Sequence, residues 1–470
     1  MSDNGNQSNM SRRKLLQRTA GAGAAASALS FPEAASAQPQ GGSDVNRNSA
    51  PSELKITGIR ACTVASNFDY PIIRIDTNQG VYGLGEVRDG GVKGQALILK
   101  PHIAGKNPLN IEGILATLKP YSGHGRLGGG YSAIDMALHD IAGKVYGVPA
   151  YRLIGSKVRD RVRIYADSTT SKDPMVYARR MKERKDRGFT FLKMDLRTSD
   201  LVGDIPGAVD ANGVATEKGL ATLCDFIAAV REAVGNEIPL AADHFGPLDV
   251  TASIRYARAF EPYRLAWAED ILQIGTLNMG SAPLNWRAYK EIKEATATPI
   301  ATGESLFGLE EGFRNFIENR AVDIIHPDPE TSGAIRETKR IADYASTYGI
   351  PTAVHFAGSP VGCLASVHMI ATIKDFVAME NHAVDIPWWD DLVNGVPKPI
   401  VNNGFIEVPE TPGLGVTLND EVMQEHLRYP GYFEPTPEFD FPMVSFRIWE
   451  RGPYPHITED GTLRNVREWE

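Results

Sequence analysis

The chain of 470 residues has only three cysteines, Cys62, Cys224 and Cys363, far apart and without a Cys-x-x-Cys pair. That argues against a disulfide framework or a zinc site and leaves three buried thiols as the simplest reading. A large basic block is also missing, and the net charge is −9, so nucleic acid is not an expected partner. The only sustained small and apolar stretch near the start, Ala20–Phe31, is too short and too rich in Ala and Gly to span a membrane. Beyond a recurring strand–helix rhythm there is no internal repeat. With 42% apolar and 23% charged residues, the composition is that of a soluble globular protein, and its length predicts about two domains.

Residues 1–37 read as a targeting segment. Ser11-Arg12-Arg13-Lys14-Leu15-Leu16 is a twin-arginine start, and Ala35-Ser36-Ala37 is a small-residue cleavage site. The expected compartment is therefore the periplasm. That route exports folded proteins, which suits an enzyme that must load a metal first. Residues 38–52, rich in Gly, Ser, Asn and Pro, form a linker.

Strands are expected over 55–66, 70–77 and 81–87, with a turn at Asn78-Gln79-Gly80. Helical spacing follows at 110–118 and in SAIDMALHDIAGKVY (132–146), where Ile134, Leu138, Ile141 and Val145 share a face. Residues 53–158 thus read as an α+β capping domain. Eight short apolar runs follow, at 161–166, 190–196, 239–242, 266–268, 300–302, 322–325, 352–354 and 376–379, with helices fitting between them. This is the pattern of a (β/α)₈ TIM-type barrel over 159–395. The stretch 197–217 has little periodicity and much Gly and Asp, and reads as a functional or mobile loop on the catalytic face. Residues 396–428 form a punctuated C-terminal segment, and the Pro- and aromatic-rich 429–470 reads as an extended arm, packed on the surface or on a second subunit.

Chemistry-bearing residues recur at the ends of these runs: Lys193, Asp243, Glu269, Glu304, Asp328, His355 and Glu380. In a closed parallel barrel such strand ends converge. Asp243, Glu269 and Glu304 would together need a cation, and Mg²⁺ is the hard-oxygen choice. Such a centre suits removal of a proton α to a carboxylate, where negative charge develops on the substrate oxygens. Asp328 and His355, on adjacent strand ends, make a dyad in which the carboxylate sets the imidazole tautomer. Lys193 is expected inside, with a lowered pKa or as an electrophilic donor. Glu380 would either hydrogen-bond the reacting oxygens as a neutral acid or orient a substrate hydroxyl. His244 points away from the site by strand alternation. Arg88, His124 and Arg126, in cap loops, suit a polar, anionic ligand.

With these residues in place the chain resembles the enolase superfamily, in its mandelate racemase-like subgroup. SAIDMALHDIAGKVYGVPAYRLIG resembles the cap-to-barrel helix of that family, and the Asp/Glu/Glu series and the His-Asp pair match its metal ligands and dyad. AVDIPWWDDLV and GFIEVPETPGLGVTLN resemble its C-terminal segment, most closely in sugar-acid dehydratases, and extend the resemblance through 396–428, a segment that returns to the cap. The resemblance implies Mg²⁺, a sugar-acid substrate, a homo-oligomer, and dehydration to a 2-keto-3-deoxy acid. One departure matters. Racemases of the family carry Lys-x-Lys at the end of the second strand, whereas this chain has Lys193-Met194-Asp195. Another is Phe245, where Asn or His is frequent two residues past the third-strand Asp. Both favour a one-base dehydration with His355 as base and acid. An epimerase or cycloisomerase, and a non-catalytic sugar-acid-binding protein, are the competing readings.

Overall fold

The computed structural model describes residues 53–440 apart from 124, 245–248 and 273–284. The targeting segment, the linker, His124, Phe245 and the tail beyond 440 lie outside the described residues.

Three strands, β1 (Ile56–Ala65), β2 (Asp69–Thr77) and β3 (Tyr82–Glu86), form an antiparallel sheet in sequence order. Helices α1 (Ile111–Leu118) and α2 (Gly129–Tyr146) pack beside it. The sheet and α2 approach unusually closely. A Cβ at Gly83 or Gly85 would fall about 2 Å from the carbonyl oxygens of Ala137 and Ala133. Only glycine permits that contact. Residues 129–143 of α2 are buried on all sides, as expected of a helix wedged between layers. Its Asp140 accepts hydrogen bonds from the backbone N–H of Leu84 (3.0 Å) and of Leu414 (2.9 Å). One carboxylate thereby ties the cap strand and the C-terminal segment to the helix.

The barrel is built from eight parallel strands: β4 (Arg161–Ala166), β5 (Leu192–Asp195), β6 (Leu240–Asp243), β7 (Ala268–Glu269), β8 (Ile300–Thr302), β9 (Ile324–Ile325), β10 (Thr352–Val354) and β11 (Phe376–Asn381). Pairing of β11 with β4, Glu380 opposite Tyr165, closes the ring. Inside, large Tyr165, Phe191, Trp267 and Ile324 are mixed with small Ala241, Ala301, Ala353 and Ala378, so the bore is a filled core. Helices α3 (Pro174–Asp186), α4 (Glu217–Val234), α5 (Val250–Phe260), α6 (Trp286–Glu294), α7 (Ala334–Thr347) and α8 (Pro360–Ile370) surround it. Side chains of Asp173, Thr216, Asp249, Asn285 and Ser359 cap five of them, satisfying N–H groups a helix start leaves open. Among the described residues no helix is long and apolar enough to cross a membrane.

The eight expected strands all occur, with ends displaced by one to two residues at β5, β6, β7, β9 and β11. The stretch 197–217 differs from expectation. It forms a helical turn at Thr198–Leu201 and buries Leu201, Val202, Ala208 and Ala215. Its apolar residues carry no helical or strand period, yet these four reach the core. After the barrel, β12 (Phe405–Glu407) pairs antiparallel with β4. The chain then returns to the cap, where the Arg428 N–H donates to the Thr63 carbonyl at 2.8 Å. Phe433 is buried, and Lys100 Nζ donates to the Thr436 carbonyl (2.9 Å) and pairs with Asp440 (2.5 Å). The described part of the arm therefore lies on the cap sheet.

Candidate active site

Parallel register sets the acidic residues in a row. Asp195 stands opposite Asp243, and Asp243 opposite Glu269, at the C-terminal ends of β5, β6 and β7. Glu304 follows two residues past β8, across Gly303, whose φ is +142° and whose Cβ would lie 2.8 Å from Phe313. Glycine is needed there both for the turn and for the space. Oxygens of Asp243, Glu269 and Glu304 come within 4.8 Å of one another, and all three side chains are buried. Trp267 Nε1–H donates to Glu269 Oε2 at 2.9 Å, whereas Asp243 Oδ1 has no hydrogen-bond partner. A buried carboxylate oxygen without a donor is costly. A hard-oxygen set with an open valence is what Mg²⁺ takes, so these three residues fit that ion.

Lys193 rises from β5 into the ring. Its Nζ lies 3.1 Å from Asp243, 3.2 Å from Glu269 and 2.6 Å from Glu380. Burial opposes its charge, but Glu269, Glu380 and Asp243 outweigh burial and hold its pKa well above the ordinary lysine value. The expected lowering is therefore corrected: three carboxylates surround the ammonium, so it stays charged.

Asp328 is held from two sides. Its Oδ1 accepts the N–H groups of Glu330 (2.7 Å) and Thr331 (3.1 Å) at the start of a one-turn helix. Its Oδ2 accepts from His355 Nδ1 at 2.6 Å. That bond turns His355 Nε2 to within 3.1 Å of Glu304 and 3.8 Å of Glu380. Burial raises the Asp328 pKa, and Arg88 and His355 more than reverse this. The carboxylate thus remains an acceptor that fixes the ring tautomer.

Comparison with known proteins identifies the family. The family model described as "Enolase C-terminal domain-like" matches residues 176–422, more than half the chain. The chain belongs to the enolase superfamily. The model for the "Mandelate racemase / muconate lactonizing enzyme, N-terminal domain" matches residues 44–155, and the protein is an enzyme. It is 35% identical over 389 residues to a D-xylonate dehydratase of Haloferax volcanii, covering 80% of this chain and 89% of that one. A mandelate racemase/muconate lactonizing enzyme-like protein of Rubrobacter xylanophilus superimposes with a TM-score of 0.74 at 32% identity, over 81% of this chain and all of that one. The 3,6-anhydro-D-galactonate cycloisomerase of Zobellia galactanivorans does so at 0.67 and 26%, over 80% and 100%.

In this enolase-superfamily member Glu380 is a carboxylate, not a neutral acid. Burial raises its pKa, but Lys193, His382 and His355 together hold it well below the usual range. Tyr165 O–H donates to its Oε2 at 3.0 Å. Arg88 is 1% exposed, behind the site rather than on a loop surface. It donates to Thr331 Oγ1 at 2.8 Å and to the Glu304 carbonyl, and pairs with Asp328 at 3.4 Å. Arg126 pairs with Glu304 Oε1 at 2.6 Å and is one-fifth exposed. His244 turns outward, 3.1 Å from Thr198 Oγ1. A groove of about 910 Å³ lies elsewhere, between α1, α2 and α7, and contains none of the three carboxylates.

Sequence reasoning missed Tyr165, His326, Asp167 and His382. His326 Nδ1 is 3.1 Å from Glu269, and its Nε2 is 2.7 Å from the Tyr165 hydroxyl. His382 Nε2 is 2.9 Å from Glu380, and its Nδ1 is 3.3 Å from Asp167. A signal for His382 existed: Glu380-Asn381-His382 puts both ends on one face of a strand.

Proposed function

We propose that the enzyme is a Mg²⁺-dependent sugar-acid dehydratase that converts an aldonate or related acid to its 2-keto-3-deoxy acid and water. The observation that carries this reading is the shared edge between two groups: His355 Nε2 lies 3.1 Å from Glu304, a member of the acidic triad. A carboxylate substrate held at the triad therefore brings its α-carbon toward an imidazole whose other nitrogen is fixed by Asp328. Asp243, Glu269 and Glu304 would hold the ion. When bound, Mg²⁺ supplies positive charge to the substrate carboxylate as its α-carbon loses a proton. His355 accepts that proton at Nε2, and Asp328 stabilises the imidazolium formed. Lys193, kept charged, adds positive charge beside the triad. Sugar-acid dehydratases among the relatives support the reaction class.

The experiment is turnover of D-xylonate, D-gluconate and D-galactonate by purified enzyme with Mg²⁺, reading 2-keto acid and α-deuterium wash-in by NMR. Keto acid from one of them is expected. Wash-in without keto acid from any would refute dehydration and favour an epimerase or cycloisomerase. His355→Asn should lose wash-in and product together; wash-in retained by that variant would transfer the base to Lys193. The Arg12-Arg13 pattern and Ala35-Ser36-Ala37 support export by the twin-arginine route. Cell fractionation of the full chain, with Arg12 and Arg13 intact or replaced by Lys, tests that part.

A further inference from the structure

The site contains a second Asp–His pair. Asp167, one residue past β4, stands 3.3 Å from His382 Nδ1, and His382 Nε2 stands 2.9 Å from Glu380 Oε1. The first pair, Asp328 and His355, approaches the other oxygen of the same carboxylate, with Nε2 3.8 Å from Glu380 Oε2. The two imidazole centroids are 6.1 Å apart. Glu380 is thus straddled by two histidines, each backed by an aspartate from a different strand. Both nitrogens of His382 lie within 3.3 Å of carboxylate oxygens outside the acidic triad, which favours the protonated ring, whereas the carboxylate nearest His355 Nε2 is Glu304, a member of the triad that would hold the cation. Phe68, from the turn between β1 and β2, packs edge-on against it at 5.7 Å, and Asn67 Nδ2 donates to its carbonyl at 3.1 Å. The cap therefore holds this ring at the mouth of the barrel, 16% exposed.

We propose that His382 is the general acid that protonates the departing β-hydroxyl, while His355 serves only as the base. This rests on the dehydratase reading and replaces a single histidine in both roles. The Cα–H bond breaks with its proton going to His355 Nε2. The Cβ–O bond then breaks, its electron pair leaves with oxygen, and the His382 Nε2 proton completes a water molecule. The enol left behind tautomerises to the 2-keto acid. Glu380, between the rings, lets the proton gained by His355 return to His382. The second lysine that racemases carry on β5 is replaced here by Asp195, on the side of the ring where Asp167 and His382 lie. His355, 6.1 Å away between ring centroids, and Asp195, whose carboxyl feels the His382 charge, also face this ring, and Lys193 pairs with the same Glu380 oxygen at 2.6 Å. Burial disfavours the charged ring, but Glu380 and Asp167 outweigh it and hold the His382 pKa well above the ordinary value.

The test compares wild type, His382→Asn and His382→Gln on the aldonate the wild type turns over and on its 3-deoxy-3-fluoro analogue. Fluoride leaves without a proton donor. We expect both variants to keep α-deuterium wash-in, to lose about 10²–10⁴-fold in keto acid from the hydroxyl substrate, and to release fluoride from the analogue near the wild-type rate. Equal losses on both substrates, or loss of wash-in, would overturn the assignment, as would undiminished dehydration. Wild type that exchanges the α-proton but forms no keto acid overturns the dehydratase reading, and with it the acid role. Asp167→Asn supplies an independent readout. A general acid acts only while protonated, so activity falls as pH rises through its pKa. Removing the Asp167 charge lowers that pKa, and the alkaline limb of kcat should move to lower pH; an unmoved limb counts against the pair.

Discussion

Replacing Lys193 by Met tests the electrostatics of the whole centre. The side chains are of similar length, so packing changes little, but the ammonium disappears. In the folded protein that group lies 2.6–3.2 Å from Asp243, Glu269 and Glu380, all buried. Removing one partner of a buried ion pair costs about 3–5 kcal/mol, because the charge left behind has no compensation. Glu269 and Glu380 are left as buried charges, while burial and then Glu269 push the Asp243 carboxyl up, so without metal the variant should lose at least about 3 kcal/mol. Added Mg²⁺ should act in the opposite sense. In the wild type the ammonium competes with an incoming cation for Asp243 and Glu269; in Lys193→Met it does not. The variant should therefore bind Mg²⁺ more tightly, and a concentration one hundredfold above Kd restores about 2.7 kcal/mol. The assay is thermal melting in EDTA and across a Mg²⁺ series, with calorimetric titration of the ion. The expected pattern is a lower melting temperature in EDTA, a larger Mg²⁺-dependent rise than in wild type, and poor turnover even when loaded. A variant that melts with the wild type in EDTA, or that binds Mg²⁺ more weakly, would refute this account.

Asp243→Asn, Glu269→Gln and Glu304→Gln should each abolish stoichiometric Mg²⁺, read by metal analysis after gel filtration, while circular dichroism stays unchanged; metal retained by all three moves the ion elsewhere. Asp328→Asn should lower keto-acid formation less than His355→Asn does, because the ring is misoriented rather than lost; equal loss would mean that the carboxylate does more than orient. Glu86 is buried at the start of α8, accepting from the Ser359 and Gly362 N–H groups, and burial followed by neighbouring charge pushes its pKa up to about 7. A raised carboxyl keeps its proton in the folded chain after the unfolded chain has released it. Stability should then fall as pH rises from about 4.5 to about 7, by at most about 3 kcal/mol. Glu86→Gln should flatten that slope in denaturant titrations, and an unchanged slope assigns it to other groups.

The barrel was legible because its signals are local. Runs such as Arg161–Ala166 and Thr352–Val354 carry their own β-forming residues, and helices between them carry a 3.6-residue period. Asp243, Glu269 and Glu304 were legible for the same reason: each ends a run, and parallel closure brings run ends together. The pair of Asp328 and His355 followed from adjacency of consecutive strands. The state of Lys193 was not legible. Its charge depends on Asp243, Glu269 and Glu380, up to 187 residues away, all within 3.2 Å of one nitrogen. Burial alone would lower its pKa, and only the count of converging carboxylates reverses the sign. Arg88 sits in a polar cap segment that reads as exposed, yet β3 carries it under Glu304 and Asp328, where it is 1% exposed. Strand periodicity says which face a residue takes but not what stands across from it. Asp167 and His382 meet only because β4 and β11, first and last in the barrel, are joined by ring closure. Local pattern thus set the elements and the line of acidic residues along their ends. Protonation states and pairings between distant strands came from long-range convergence, because Coulomb energy depends on distance in space and burial, and neither is written in the spacing of residues along the chain.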